Sequence, residues 1–226
     1  MPAARPATPG SVLLPVAGTV LHLRPEKAVW WPERDTLFIA DAHLGKAATF
    51  RAHGLPVPEA TTQDTLDALG ALVDSTSARR LVLLGDWLHA RHGQLPHVVA
   101  AVRAWRARHA ALAITLVRGN HDQHAGDPPP DLGIAVVDEP FALGPLAACH
   151  TPQTVPGALA LAGHWHPAVQ LAGRGRDQLR LPAFWHAPDC LVLPAFGAFT
   201  GTHVPEPAPG VAVYAVGAGR VWPLRG

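Results

Sequence analysis

Charge is scarce in this sequence. Asp, Glu, Lys and Arg make up 15% of its 226 residues and hydrophobic types reach 48%, so the chain is too apolar to stay disordered and long enough to bury a full core. It also lacks a charge excess. The net charge is +1 and the pI about 8.0, which leaves nucleic-acid binding to a local basic face and neither demands nor excludes it. Cysteine is confined to Cys149 and Cys190, too few for a disulfide framework, and a reducing cytoplasm is the simplest setting. No apolar run approaches the ~18 residues of a membrane span. Pro15 and Gly18 break the short run at 12–14, so no signal peptide is expected. A soluble cytoplasmic protein with no membrane partner follows.

Residues 1–14, rich in Pro and Ala, read as a loose tail, and 15–226 as a single domain. Short β-type runs at 18–23 and 29–31 suggest a hairpin. Residues 36–40 form the first core strand. Leu66, Leu69, Leu72 and Val73 share one helical face, which predicts a helix over about 59–74 with Pro58 suited to its first turn. Residues 81–84 are a near-continuous apolar strand, and Val98, Val102 and Trp105 mark a second helix over about 96–109. With the apolar run at 112–117, this is a βαβαβ unit with parallel pairing. After Asp122 the pattern changes to short strand candidates at 134–137, 146–149, 158–162, 168–172, 178–181, 190–193 and 211–216, separated by Gly, Pro and Asp turns. A parallel first half and an antiparallel second half predict two sheets packed face to face with helices outside.

Histidine is what the chain has in quantity: 14 residues, of which only those at strand exits carry weight as ligands. Five apolar runs end in such groups. The run at 36–40 leads to Asp41 and His43, and 81–84 to Asp86. The run at 112–117 feeds a polar loop, Gly119-Asn120-His121-Asp122. The runs at 146–149 and 158–162 lead to His150 and to Gly163-His164-Trp165-His166. In α/β folds, groups at the carboxyl ends of separate strands converge. Asp41, His43, Asp86, Asn120, His150, His164 and His166 are more ligands than one ion needs, and suit two ions sharing a carboxylate, with His121 left over. Oxygen and imidazole without thiolate favour Mn, Fe or Zn. Two such ions ~3.5–4 Å apart can clamp a phosphoryl group for in-line attack. Polar strand caps are the bland alternative, and five ordered exits are hard to obtain by accident.

This series of Asp-x-His, Gly-Asp, Gly-Asn-His-Asp, His and Gly-His-x-His resembles the calcineurin-like metallophosphoesterase superfamily. The resemblance implies an α/β fold, a four-layer αββα sandwich of two mixed β-sheets flanked by helices. It implies that Asp41, His43 and His166 bind one metal, Asn120, His150 and His164 the other, and that Asp86 bridges. His121 would then protonate the leaving oxygen or stabilise the transition-state charge, with Asp122 orienting its ring. Asp41-Ala42-His43-Leu44-Gly45-Lys46, Gly85-Asp86-Trp87-Leu88-His89-Ala90-Arg91 and Leu193-Pro194-Ala195-Phe196-Gly197 are similar to the ligase-associated DNA-damage-response endonuclease family. Over residues 15–220 that likeness implies a Mn2+-dependent phosphodiesterase or endonuclease acting on DNA, encoded near a DNA ligase and a helicase in bacterial repair clusters.

Lys46, Arg51 and Arg91 lie near ligand loops and are candidates for phosphate contact. Trp165 reads as a pocket wall or core filler rather than a base platform, Cys149 as a core residue, and His89, His92, His97, His109 and His124 as non-ligands. The arginines between 79 and 118 read as a solvated helix face rather than a DNA strip. Two rivals remain: a small-molecule phosphatase or nucleotide diesterase using the same metals, and a non-catalytic scaffold, whose ligands should have decayed.

Overall fold

The structure, a computed structural model, describes residues 8–46, 61–89, 95–173, 177–197, 200–206 and 208–224. Fifteen strands among these residues form two mixed sheets. In the first, β1 (Val12–Val16), β2 (Thr19–Arg24), β3 (Ala28–Trp31) and β4 (Thr36–Ile39) run antiparallel in sequence order. β4 then pairs in parallel with β5 (Arg80–Leu84), β5 with β6 (Ala113–Val117), and β6 with β7 (Ile134–Val137). The second sheet runs from β15 (Arg220–Leu224) through β14 (Ala212–Gly217), β12 (Gln178–His186), β13 (Cys190–Val192), β10 (Leu159–Ala162) and β9 (Leu146–Ala148) to β8 (Phe141–Leu143), with β11 (Ala168–Ala172) on β12.

The two-residue period of a strand sorts these side chains into layers. Phe38, Ala40, Val82, Leu84 and Val117 point between the sheets, where they meet Leu146, Leu159, Leu161, Phe184 and Leu191. Their neighbours Leu37, Ile39, Leu81, Leu83, Ile114 and Leu116 face the other way, against two helices. Helix α1 (Thr61–Thr76) buries Leu66, Leu69, Leu72 and Val73 there. Helix α2 (Pro96–Arg108) opens with Pro at its first turn and buries Val98, Val102 and Trp105, spaced four and three apart on one face. The opposite face of the second sheet carries Cys149, Ala160, Ala162, Trp185, Cys190 and Val192. No described helix covers it, so the helices expected outside both sheets lie, among the described residues, on one.

Several expectations need correction. Val12–Val16 is not part of a loose tail: Leu14 is buried between the sheets and the strand pairs with β2, with exposed Pro15 tolerated because β1 is an edge. The strand at 134–137 belongs to the first sheet, parallel to β6. The second sheet has a parallel centre, since β10 pairs in parallel with both β9 and β13. Gly119-Asn120-His121-Asp122 does not form a loop. It opens a short helix, α3 (Asn120–Ala125), because Asp122 in the first turn accepts the Gly119 N–H at 3.0 Å.

Candidate metal centre

The parallel strands β4, β5 and β6 end at one edge of the first sheet, and β9 and β10 deliver His150 and His164 beside them. The backbone at these exits is contorted. Asp41, His43, Asp86, His164 and His166 all adopt positive φ, between 47° and 68°, in the left-handed region that L-residues rarely occupy. Five of the seven expected ligands thus sit in a conformation costing roughly 1–3 kcal/mol each, which packing alone does not require. Glycines make room. A Cβ on Gly85, itself at φ 79°, would lie 2.1 Å from His150 Nδ1, and one on Gly163 would lie 2.5 Å from Asp41 Oδ2.

The seven side chains form two groups. Ligand atoms of Asp41, His43 and His166 lie within 4.8 Å of one another, as do those of Asp86, His150 and His164. His43 Nε2 and His166 Nε2 are 3.3 Å apart, and His166 Nε2 is 3.5 Å from Asp41 Oδ1. In the second group His150 Nε2 lies 3.0 Å from His164 Nδ1 and 2.9 Å from Asn120 Oδ1. Asp86 stands between them: Oδ2 is 3.8 Å from His43 Nε2, and Oδ1 is 3.6 Å from His150 Nε2.

Surrounding backbone fixes which nitrogens face inward. His150 Nδ1 meets the Leu84 carbonyl at 3.0 Å and His166 Nδ1 the Gly201 carbonyl at 2.9 Å. Donation there leaves each Nε2 lone pair pointing into the site. Asp41 and Asp86 accept backbone N–H groups, from His164 to Asp41 Oδ2 and from His121 to Asp86 Oδ1, both at 2.9 Å. Burial pushes the His43 pKa down, helped by Lys46 and the neighbouring imidazoles. For His166, burial works downward but the Asp41 carboxylate and the Gly201 carbonyl outweigh it, and its pKa is raised.

These residues fit divalent ions. Among the described residues Asp41 Oδ1 is buried without a hydrogen-bond partner, and inward-facing imidazole nitrogens crowd to within 3.0–3.3 Å of one another. A buried carboxylate oxygen among lone pairs is unfavourable unless a cation joins them.

His121 lies at the rim, its ring 5.1 Å from that of His43 and its Nε2 3.9 Å from Asp86 Oδ2. Burial lowers its pKa while Asp86 acts to raise it. Asp122 was expected to orient that ring; instead its oxygens accept the backbone N–H groups of Gly119 at 3.0 Å and Leu88 at 3.1 Å, tying α3 to the segment after β5. Burial raises its pKa to about 6. Sequence reasoning also missed His89. Its Nδ1 is 3.4 Å from His43 Nδ1 and its ring 4.9 Å from that of His121, so it backs the first group. The available signal was its position three residues past Asp86.

Lys46 is half-buried and lines a small hollow together with His43; burial lowers its pKa, and the charges of Asp86 and Asp41 act to raise it. Arg51 and Arg91 lie outside the described residues. Trp165 is 40% exposed, so it is a wall and not core filler. Cys149 is fully buried and its thiol is pushed up to about 12, mainly by burial, which removes it as a nucleophile. Arg103, Arg108 and Arg118 are engaged by Asp131, Asp67 and the Asp127–Asp138 pair, as a solvated face predicts.

No family model matches the sequence, and no curated protein matches it. Among solved structures, the crystal structure of the Pseudomonas putida nuclease MPE is 43% identical, covers 95% of this chain and 100% of its own, and superposes with a TM-score of 0.84. A phosphoesterase from E. coli, Yfce, is 16% identical over 81% of this chain and 88% of its own, with a TM-score of 0.37, too distant to bear on the site.

Proposed function

We propose a reaction for a chain that belongs to the calcineurin-like metallophosphoesterases: hydrolysis of phosphodiester bonds at a two-metal centre, with DNA as the substrate. The observation that carries it is Asp86, whose two oxygens face two separate groups of ligands. Asp41, His43 and His166 would hold one ion and Asn120, His150 and His164 the other, with Asp86 between the two groups. Such ions would supply an activated water and positive charge toward the phosphoryl oxygens. Mn2+ is the ion the family resemblance favours, with Fe or Zn compatible with the same donors.

The chain's own residues do the rest. Asp41, Asp86 and His150 are buried, whereas Asn120 and His164 are exposed and His121 and His166 half-buried, so the centre opens on one side to an incoming phosphate. The His121 backbone N–H is anchored on Asp86 Oδ1, which holds its ring at that opening. From there it offers an N–H to the leaving oxygen and delivers or shares a proton as the P–O bond breaks. Lys46 supplies positive charge at the same edge, and Arg51 and Arg91 are the remaining candidates for phosphate contact. The nuclease likeness supports a nucleic-acid diester. The resemblance further implies bacterial DNA repair beside a DNA ligase and a helicase, and the scarcity of cysteine supports a cytoplasmic setting; no helix among the described residues is long and apolar enough to cross a membrane.

The test is hydrolysis of bis-p-nitrophenyl phosphate and p-nitrophenyl phosphate after Mn2+ is added to metal-stripped protein. Metal-dependent cleavage of the diester supports the proposal. Cleavage of the monoester alone would replace it with a small-molecule phosphatase, and metal binding without either activity would leave a scaffold.

A further inference from the structure

We infer that the hollow beside Trp165 is a subsite for one unstacked nucleobase next to the scissile phosphate, an inference that rests on the phosphodiesterase reading above. The hollow has a volume of about 390 Å³, and Pro152, Trp165, Trp185, Val192, His203 and Val211 form much of its lining. Its floor is the outer face of the second sheet, where Trp185 and Val192 belong to an apolar layer that no described helix covers. Its rim lies along the segments that carry the centre's ligands. Pro152 follows His150 by two residues, and Trp165 lies between His164 and His166. The His203 N–H donates to the His166 carbonyl at 3.1 Å. A group bound in the hollow would sit beside the segments that carry the centre.

The lining selects the ligand's chemistry. No Lys or Arg is among the described residues that line it, so it does not suit a second phosphate. Beside the His203 imidazole and the Glu206 carboxylate, which would repel a phosphate, it offers two indoles and aliphatic side chains, which suit a flat, uncharged ring with π-faces. Trp165 is one of five large hydrophobic side chains left exposed among the described residues, and the one set between two of the centre's histidines. A planar base on such a surface is held by stacking whatever its identity. A base inside a duplex keeps both faces on its neighbours, so the hollow takes a base from an unpaired strand.

The test compares wild type, Trp165→Leu and Trp165→Phe, loaded with Mn2+, on a single-stranded oligodeoxyadenylate and on an abasic oligonucleotide of equal length. KM and kcat are measured for each, together with bound Mn2+ per chain and the affinity of metal-stripped protein for the same two strands. Wild type should show a KM on the order of tenfold lower for the base-bearing strand, the size expected of one stacked base. Trp165→Leu should bring that ratio close to one with unchanged Mn2+, and Trp165→Phe should restore most of it. The inference is overturned if Trp165→Leu keeps the ratio, weakens both strands equally, or loses metal. If wild type cleaves neither strand, the function proposed above fails by itself. The binding ratio in stripped protein, kept by wild type and lost in Trp165→Leu, then still decides the subsite.

Discussion

Asp41 is fully buried, and one of its two carboxylate oxygens has no hydrogen-bond partner among the described residues. A divalent ion satisfies that oxygen, so wild type should gain stability on binding, about 2.7 kcal/mol at an ion concentration a hundredfold above Kd, or roughly 5–10 °C in Tm. At pH 8 in chelator, Asp41→Asn should melt close to wild type, because the amide can keep the His164 N–H bond and no longer buries a charge. Thermal melts with and without Mn2+ check this; a Tm rise retained in the variant would remove Asp41 from the centre. Gly85 matters for the opposite reason, because nothing larger fits. Gly85→Ala should cost about 1–3 kcal/mol through its positive φ and push His150 out of place, weakening ion binding along with stability. Calorimetric titration of the folded variant with Mn2+ reads the second effect, and wild-type affinity would contradict it. The residues at the strand exits were legible because a polar group directly after an apolar run has no packing role. His89 was not, since it lies three residues past Asp86 and meets His43 only because the segments after β4 and β5 continue side by side in parallel, at Leu44 and Leu88.

At the scale of elements, the two sheets are pinned together beside the centre by the turn between β2 and β3. Lys27 in that turn donates from Nζ to the Phe196 carbonyl at 2.6 Å. The Phe196 and Gly197 N–H groups in turn donate to the carbonyls of Ala40 and Asp41 at 2.8 and 3.2 Å. Burial lowers the Lys27 pKa to about 8. The unfolded chain keeps its proton up to the ordinary lysine range near 10.5, so between these values it binds more protons than the folded one, and stability rises with pH. Wild type should therefore gain on Lys27→Met from about pH 8 to 10.5, by at most about 1.4 kcal/mol per pH unit. Urea unfolding of both at pH 7.5 and 9.5 measures it, and a difference independent of pH would refute it. Helices α1 and α2 were readable because both are long and periodic. Helix α3 was not: five polar residues and one alanine carry no apolar period, and only the Asp122 cap marks its start. Strands β8 and β15 were missed as well, being short segments whose order comes from their partners.

For the whole molecule, the chain is a calcineurin-like phosphoesterase whose charge is spent locally. Arginines that could have formed a basic strip on α2 are taken up by Asp131 and Asp67. Arg103→Ala combined with Arg108→Ala should leave KM for a DNA strand within about twofold of wild type; a tenfold rise with a shallower salt dependence would place DNA on that face. The two-sheet architecture was legible from the change in pattern after Asp122. The assignment of β7 to the first sheet was not, because parallel pairing between distant segments leaves no local mark in either strand. The most direct test of the account is the number of Mn2+ ions bound per chain at equilibrium by wild type, Asp86→Asn and His121→Ala. The bridged centre predicts two ions in wild type, two in His121→Ala with most turnover lost, and joint weakening of both in Asp86→Asn. One ion in wild type, loss of a single ion in Asp86→Asn, or metal loss in His121→Ala would contradict it.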